Sequence, residues 1–448
     1  MNAPAKARVL GRAMLGLIAD LGRKYLPRRP PASPVETAIA LCRDLRSGRG
    51  EASGVALARE VIDLYGHMAE PERTVFFERV ASEFGPDADA IVAAAQDFIA
   101  TRQAAAYCRL AAAVEPPTQE LFRRLNMAPG AIGVIVQMRE HLLGRLDDRP
   151  HLQPLERDLQ HLFHSWFNPG FLEFERIDWR TSAAVLEKLI EYEAVHEIRG
   201  WDDLHRRLSD DRRCFAFFHP VLPDEPLIFV EVALTRGLPE AIGPLLESRP
   251  AGAAVPADTA VFYSINNCQR GLVGITFGNF LIKQVVDSIS AELPQISVFA
   301  TLSPVPGFRG WLEETLQDPR TPLLAPEERR QLSGLAWTPD ELRQPPVRSL
   351  LLRLCAHYLM EARRSGHAVD PVARFHLGNG ASIERVLCGA DLSEKGMRES
   401  AGMMVNYLYR VEDIVANHEA YVREARIAVS TPVRRLLARP HARGAPDP

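Results

Sequence analysis

The sequence lacks the cysteine patterns that bind zinc or build a disulfide framework. Its 448 residues include six cysteines, spread singly along the chain, with no CxxC pair and no Cys/His cluster. Such spacing is typical of reduced thiols in a cytosolic protein. We therefore expect neither a disulfide frame nor a metal site.

Long apolar runs and an excess of one charge are also missing. No apolar run approaches the roughly 20 residues that span a bilayer. The chain has 53 basic and 57 acidic residues, for a net charge of −4, which argues against bulk electrostatic capture of nucleic acid. The composition is that of a soluble globular protein, and the length favours two domains.

Three common active-site motifs are absent as well. The glycines form neither GxxxxGK[ST] nor GxGxxG after a strand, which disfavours an ATP-binding P-loop and a dinucleotide fingerprint. There is no GxSxG elbow, so the nucleophile of an α/β-hydrolase is not indicated.

Residues 1–34 are basic, surround a short amphipathic piece, Val9 to Leu26, and are predicted to be flexible. A mitochondrial presequence has this arginine-rich pattern, but Asp20 and the proline-rich end fit a surface helix and a linker equally well. Because Ala, Arg and Leu are abundant throughout, we favour a bacterial cytoplasmic protein. The location would be mitochondrial if the segment is a presequence.

Residues 35–169 are predicted to form an all-α domain of roughly six to eight helices. Prolines and glycines, as at Pro71 and Pro129-Gly130, separate the periodic segments. The predicted helices are Val55–Met68, Arg73–Phe84, Ala88–Val114, Thr118–Leu125, Ala131–Leu143 and one along Leu152–Trp166. A domain of this sort more often mediates packing or oligomerisation than catalysis.

The pattern changes at Asn168-Pro169-Gly170, and residues 170–435 are predicted to form an α/β or α+β domain. Residues 436–448 are predicted to be a flexible tail. The predicted strands are Cys214–Phe218, Leu227–Leu234, Ala260–Ile265, Ile296–Leu302 and Ser382–Leu387. The predicted helices are Ala183–Glu193, Trp201–Leu208, Pro326–Gly334, Val347–Arg364 and Leu392–Tyr409.

The stretch Ala260–Arg309 combines a strand, a glycine loop, a helix and a second strand. Such a unit can bind phosphate, because glycines allow close approach and the helix start presents free N–H groups. The segment Gln269–Gly274 loosely resembles the loop that holds the pyrophosphate of coenzyme A in GNAT-type acyltransferases, with Arg270 as a phosphate contact. A tight turn that needs glycine explains the pattern equally well.

Two further residues are candidates for chemistry. Ser303 precedes Pro304 at a strand end, where local chemistry alone favours a turn-forming role. His376 lies among apolar residues ahead of the Asn379-Gly380 turn, so it is either an acid–base catalyst or a hydrogen-bonded core histidine.

These stretches together resemble malonyl-CoA decarboxylase. The similar segments cover nearly the whole second half of the chain in order. They are FLEFERIDW, HPVLPDEPLIFVEVALT, FYSINNCQRGLVGITFGNFLIKQVV, FATLSPVPGFRGWL, DPVARFHLGNGASIERVLCGADLS and GMMVNYLYR. The helical first half is similar in length and character.

The resemblance implies a helical domain followed by a GNAT-like catalytic domain that converts malonyl-CoA to acetyl-CoA and CO₂ without biotin or metal. Ser303 would hold the carboxylate or relay a proton, and His376 would protonate the enolate carbon. Tyr409 would lie near the site, and a homo-oligomer (a tetramer or dimer) would form through the helical domain. The implied acyl-CoA segment consists of Val273, Gly274, Ile275, Thr276, Phe277, Gly278 and Asn279. Thr276 stands where some relatives have a Glu, so no essential charge is expected there.

Two alternatives remain. An acyltransferase would use the same loop together with an acceptor site. A non-catalytic CoA-binding scaffold predicts that Ser303 and His376 lie too far apart to serve one substrate.

Overall fold

The computed structural model describes residues 33–47, 51–247, 256–275, 280–364 and 366–437. Residues 1–32 of the predicted basic segment and 438–448 of the predicted tail lie outside these ranges. Within them, no helix is long and apolar enough to cross a membrane.

The described residues fall into two compact units. The first contains the chain up to Glu173 together with Phe218–Leu227 and the described part of Asn267–Phe277. The second contains the remaining residues. Two short segments downstream of Gly170 therefore group with the helices, and the predicted boundary at residues 169–170 stays a prediction.

The first unit is helical, as predicted. Its described residues up to Trp166 form eight α-helices: α1 (Pro34–Arg46), α2 (Glu51–His67), α3 (Glu70–Phe84), α4 (Ala88–Thr101), α5 (Ala104–Val114), α6 (Pro117–Leu125), α7 (Ala131–Leu143) and α8 (Gln153–Trp166). Side-chain caps start several of them; Ser33 and Asp87, for example, accept bonds from Glu36 N and Ala90 N. The prediction of a single helix over Ala88–Val114 is wrong, because Arg102 takes the left-handed conformation (φ 52°) and ends α4.

The second unit contains most of an eight-stranded mixed sheet. Its strands are β1 (Glu173–Ile177), β2 (Arg212–His219), β3 (Leu222–Thr235), β4 (Thr259–Asn267), β5 (Val298–Thr301), β6 (Ser303–Pro304), β9 (Ser382–Cys388) and β10 (Met403–Tyr409). They are ordered β1-β2-β3-β4-β5-β10-β6, and β9 also pairs with β10. A separate two-stranded sheet joins β7 (Arg363–Arg364) to β8 (His367–Ala368).

Helices alternate with these strands. They are α9 (Ala183–Tyr192), α10 (Trp201–Arg207), α11 (Gly243–Leu246), α12 (Phe280–Glu292), α13 (Phe308–Gln317), α14 (Pro326–Ser333), α15 (Pro339–Arg343), α16 (Pro345–Met360), α17 (Pro371–Gly378), α18 (Glu394–Ser400), α19 (Ile414–Glu424) and α20 (Thr431–Leu436). The predicted α+β class, with a helical region ahead of a mixed sheet domain, is confirmed.

The predicted helix Leu392–Tyr409 is wrong over its second half. Helix α18 ends where Ala401 (φ 51°) and Gly402 (φ 71°) both adopt left-handed conformations, and β10 follows at once. All seven residues of β10 are buried, so its sequence has no alternation of apolar and polar residues, and periodicity does not separate it from a buried helix.

The pairing of the strands around β5 determines the position of Ser303. Strand β5 runs parallel to β4 as far as the pair Phe262–Thr301. On its other side it runs antiparallel to β10, where Tyr409 pairs with Phe299. Past Thr301 the chain continues along β10 as β6, and Ser303 pairs with Val405. Ser303 is thus fixed by strand pairing, whereas local chemistry predicted a turn.

Candidate active site

Ser303 lies in the short strand β6 and is buried, with only 6% of the residue's surface exposed. Its Oγ is hydrogen-bonded to Thr301 Oγ1 over 2.9 Å. Thr301 Oγ1 also accepts from the backbone N–H of Tyr407 at 3.2 Å, which ties the end of β5 to β10. Both strands therefore fix the position of the Ser303 hydroxyl.

His376 meets Ser303 from helix α17. The imidazole is 3% exposed, and its Nε2 lies 3.1 Å from Ser303 Oγ. Its Nδ1 lies 2.8 Å from the hydroxyl of Tyr409, and the ring stacks on Tyr407 with centroids 4.7 Å apart. Three residues named from the sequence, Ser303, His376 and Tyr409, are thus in one contact chain.

These contacts are compatible with two arrangements of the protons. With Nε2 protonated, the neutral ring donates to Ser303 Oγ, and its Nδ1 accepts from the Tyr409 hydroxyl. With Nδ1 protonated, the ring donates to Tyr409, and Ser303 donates to Nε2. Either arrangement joins Tyr409, His376 and Ser303 through hydrogen bonds.

Burial controls the charges of His376 and Tyr409. Because little water reaches the ring, the pKa of His376 falls from 6.5 to about 3, so the imidazole is neutral at pH 7. The same loss of water raises the pKa of Tyr409 well above its ordinary value, which keeps its hydroxyl protonated. The side chains of His376 and Tyr409 are therefore both uncharged at pH 7.

Sequence reasoning missed Asp370, which starts the helix that carries His376. Its carboxylate accepts hydrogen bonds from the N–H groups of Val372 (3.0 Å) and Ala373 (2.9 Å). Asp370-Pro371 is a cap residue followed by proline at the first helical position, a signal that predicts a helix start. Asp370 is fully buried, and burial raises its pKa from 3.8 to about 6 despite those N–H donors.

Replacing Asp370 by Asn should change how stability depends on pH. Because the folded-state pKa is raised, the folded protein holds more protons between pH 3.8 and about 6, and its free energy of unfolding falls as pH rises through that window. Asn keeps a capping oxygen but does not titrate. Relative to wild type, Asp370→Asn should gain up to about 3 kcal/mol between pH 4 and pH 7, measured by denaturant unfolding.

Asp258→Asn is the matched control. Hydrogen bonds from Gly237 N and Thr259 lower the pKa of Asp258, so that variant should lose stability relative to wild type as pH rises. A pH-independent difference between Asp370→Asn and wild type would contradict the assignment.

The glycine loop belongs to the first unit. Arg270–Leu272 form a 3₁₀ turn, Gly271 is buried, and Arg270 faces solvent. Val273 is 57% exposed, Gly274 has φ +80°, and Ile275 is buried. Thr276, Phe277, Gly278 and Asn279 lie outside the described residues. Neither unit, where described, holds a cluster of three or more His, Cys, Asp or Glu residues suited to a metal ion.

Solved structures of similar proteins give the class of this protein. Malonyl-CoA decarboxylase from Rhodopseudomonas palustris is 49% identical with a TM-score of 0.86, covering 90% of this chain and 100% of that chain. The enzyme from Agrobacterium vitis is 48% identical with a TM-score of 0.83 and the same coverage. The protein is therefore an enzyme of the carboxy-lyase class.

Sequence comparison narrows the class to a family. The models for the malonyl-CoA decarboxylase C-terminal and N-terminal domains match residues 170–445 and 84–167. The mitochondrial malonyl-CoA decarboxylase of Mus musculus is 32% identical over 465 residues, which cover 94% of this chain and 92% of that protein. The chain belongs to the malonyl-CoA decarboxylase family, and the resemblance seen in the sequence is confirmed. The scaffold alternative is wrong in placing Ser303 and His376 far apart.

Proposed function

We propose that this protein converts malonyl-CoA to acetyl-CoA and CO₂ without biotin or metal, using Ser303 and His376. The observation that carries the proposal is the 3.1 Å contact between Ser303 Oγ and His376 Nε2 in a member of this family. The family assignment supports the reaction, and this contact supports a role for the two buried side chains in proton transfer.

The chemistry requires two events. The bond between the carboxylate and the methylene carbon breaks, its electron pair moves onto the thioester as an enolate, and a proton then adds to the carbon. His376 supplies that proton, and Ser303 either holds the departing carboxylate or relays the proton. A relay uses the tautomer with Nε2 protonated, in which the ring donates to Ser303 Oγ across the 3.1 Å contact. Solvent restores the proton after each turnover.

The low exposure of both groups supports the first event. Water solvates a carboxylate well and so stabilises the substrate against losing CO₂. At 6% and 3% exposure, Ser303 and His376 offer a drier environment. A bound carboxylate would also raise the pKa of His376 again, because a nearby anion favours the imidazolium.

The CoA moiety is assigned to the segment Val273–Asn279. Exposed Val273 and Gly274 are accessible to a ligand, while buried Ile275 anchors the loop. The side chain of Ile275 would therefore support the loop and would not contact the substrate. The cytoplasmic location predicted from the sequence stays a prediction.

A turnover assay tests the function. Malonyl-CoA given to purified protein, with avidin and a chelator present and no acyl acceptor, should yield acetyl-CoA and CO₂ in equal amounts. Turnover that stops with avidin or chelator would remove the cofactor-independent mechanism. Turnover only with an added acceptor would favour the acyltransferase alternative.

We also propose a homo-oligomer that forms through the hairpin of α4 and α5. Helix α4 has no buried residue, and α5 buries only Ala106. The exposed apolar side chains include Val92 (54%), Ile99 (64%) and Tyr107 (59%). An apolar surface of this kind typically marks a protein interface, and a second copy of the chain offers the same surface in return.

Ile99→Glu should disrupt this assembly, because it buries a charge in the interface. Light scattering should show a mass near that of one chain for the variant and a multiple of it for wild type. Val415→Glu, at a position 71% exposed on α19, is the control and should not change the mass. An unchanged mass for Ile99→Glu would locate the interface elsewhere.

A further inference from the structure

A buried ion pair in the helical unit binds the backbone of the glycine loop. Arg139 on α7 is 1% exposed, and its Nη1 donates to the carbonyl oxygen of Gly271 over 2.6 Å. Its Nε and Nη2 donate to Glu156 Oε1 on α8, at 3.2 and 2.7 Å. One guanidinium thus joins two helices to the loop.

The rest of the pair is also fixed. The second oxygen of Glu156 accepts from Gln153 Nε2 at 3.1 Å, and the guanidinium lies 5.7 Å from the ring centre of Phe163. Two buried charges stabilise a fold little, because desolvation offsets their attraction. What such a pair does supply is a fixed position for the group that it binds.

The loop packs closely against the same helix. A Cβ on Gly271 would lie 2.0 Å from the carbonyl oxygen of Val136 on α7, so only glycine fits there without displacement. Leu272 and Ile275, at 4% and 6% exposure, anchor the loop on either side of exposed Val273. The accessible part of the loop is therefore held at its base.

We propose that Arg139 and Glu156 are positioning residues for the acyl-CoA loop and set the affinity for the CoA moiety. The inference rests on the proposed assignment of CoA to this loop, and it concerns the described part of the loop, up to Ile275. Arg139 touches the loop and is not a catalytic residue.

Arg139→Lys tests the pair with the charge retained. Lysine lacks the planar fork that reaches Glu156 and the Gly271 carbonyl together. The KM for malonyl-CoA and the Kd for coenzyme A should both rise about tenfold, equivalent to about 1.4 kcal/mol, while kcat stays within about twofold. A purely structural role would lower the unfolding midpoint and the active fraction without changing KM.

Arg124→Lys is the matched control in the same unit. Arg124 also joins a carboxylate, Glu120 at 2.6 Å, to a backbone carbonyl, Leu45 at 2.7 Å, but far from the loop in sequence. It should leave KM unchanged. An equal rise in KM for both variants would show general loosening and overturn the proposal.

Gly271→Ala reaches the same loop independently, in case Arg139→Lys does not fold. The added methyl must push the loop away from Val136, so KM should rise here too. Gly54→Ala on α2, where nothing lies within 4 Å of the added Cβ, is its control. Folded Arg139→Lys and Gly271→Ala proteins with wild-type KM would refute the inference.

Different results would contradict the proposed function and the positioning role of Arg139 and Glu156. If wild type does not decarboxylate malonyl-CoA but Arg139→Lys still weakens coenzyme A binding, the function is wrong and the positioning role stands. If wild type turns over malonyl-CoA and both loop variants bind coenzyme A normally, only the positioning role is wrong.

Discussion

His376→Ala should lower kcat for malonyl-CoA decarboxylation by about 10²- to 10⁴-fold, the range typical of losing a general acid. The substitution removes the only ring that joins the Tyr409 hydroxyl to Ser303 among the described residues. Protonation of the enolate would then depend on water entering a site where both groups are nearly inaccessible. Single-turnover measurement of acetyl-CoA formation reports the loss directly.

His357→Ala provides the control for the same change of side chain. His357 is half-buried on α16 and stacks on Trp311 with ring centres 6.0 Å apart, with no described contact to Ser303. It should retain wild-type kcat. Full activity of a folded His376→Ala protein would exclude His376 from the mechanism.

Ser303→Ala should reduce kcat by roughly 10²-fold, at the lower end of the range for lost proton transfer. It removes the hydroxyl that is hydrogen-bonded to His376 Nε2 and leaves that buried ring nitrogen without this partner. The kinetic constants also separate the two roles given to the hydroxyl. A relay predicts a fall in kcat with KM kept, whereas binding of the ground-state carboxylate predicts a rise in KM.

Ser382→Ala, on the neighbouring β9, is the comparison. Its hydroxyl is half-buried and makes one long hydrogen bond, 3.5 Å to the Leu408 carbonyl. Neither kinetic constant should change appreciably. Wild-type rates for Ser303→Ala would remove the hydroxyl from the reaction.

Most helices of the first unit and strands β2, β3, β4, β5 and β9 are predicted from the sequence, because periodicity and proline and glycine breaks are local properties. Helices α13, α17, α19 and α20 are not among the predicted elements. Strand β10 was not predicted, since seven consecutive buried residues carry no alternation and follow a true helix. Its identity depends on β5, β6 and β9, which pair with it from distant parts of the chain.

The site shows a similar division. Ser303 and His376 are candidates from local sequence, and the resemblance implies their catalytic roles. Their 3.1 Å contact joins residues 73 positions apart, and no spacing rule predicts it. Asp370 was overlooked although its cap signal is local. Arg139 gave no sequence signal, because an arginine on an amphipathic helix normally faces solvent.

Strand β10 also bears on how the enzyme loses activity on heating. The strand carries Tyr407 and Tyr409, pairs with three others and has no exposed residue. Its amides should exchange with solvent only when the whole unit opens, since central buried strands belong to the most protected part of a fold. Heat inactivation would then require unfolding of the whole unit. A molecule in which this sheet is intact would retain the hydrogen bonds that join Tyr409, His376 and Ser303.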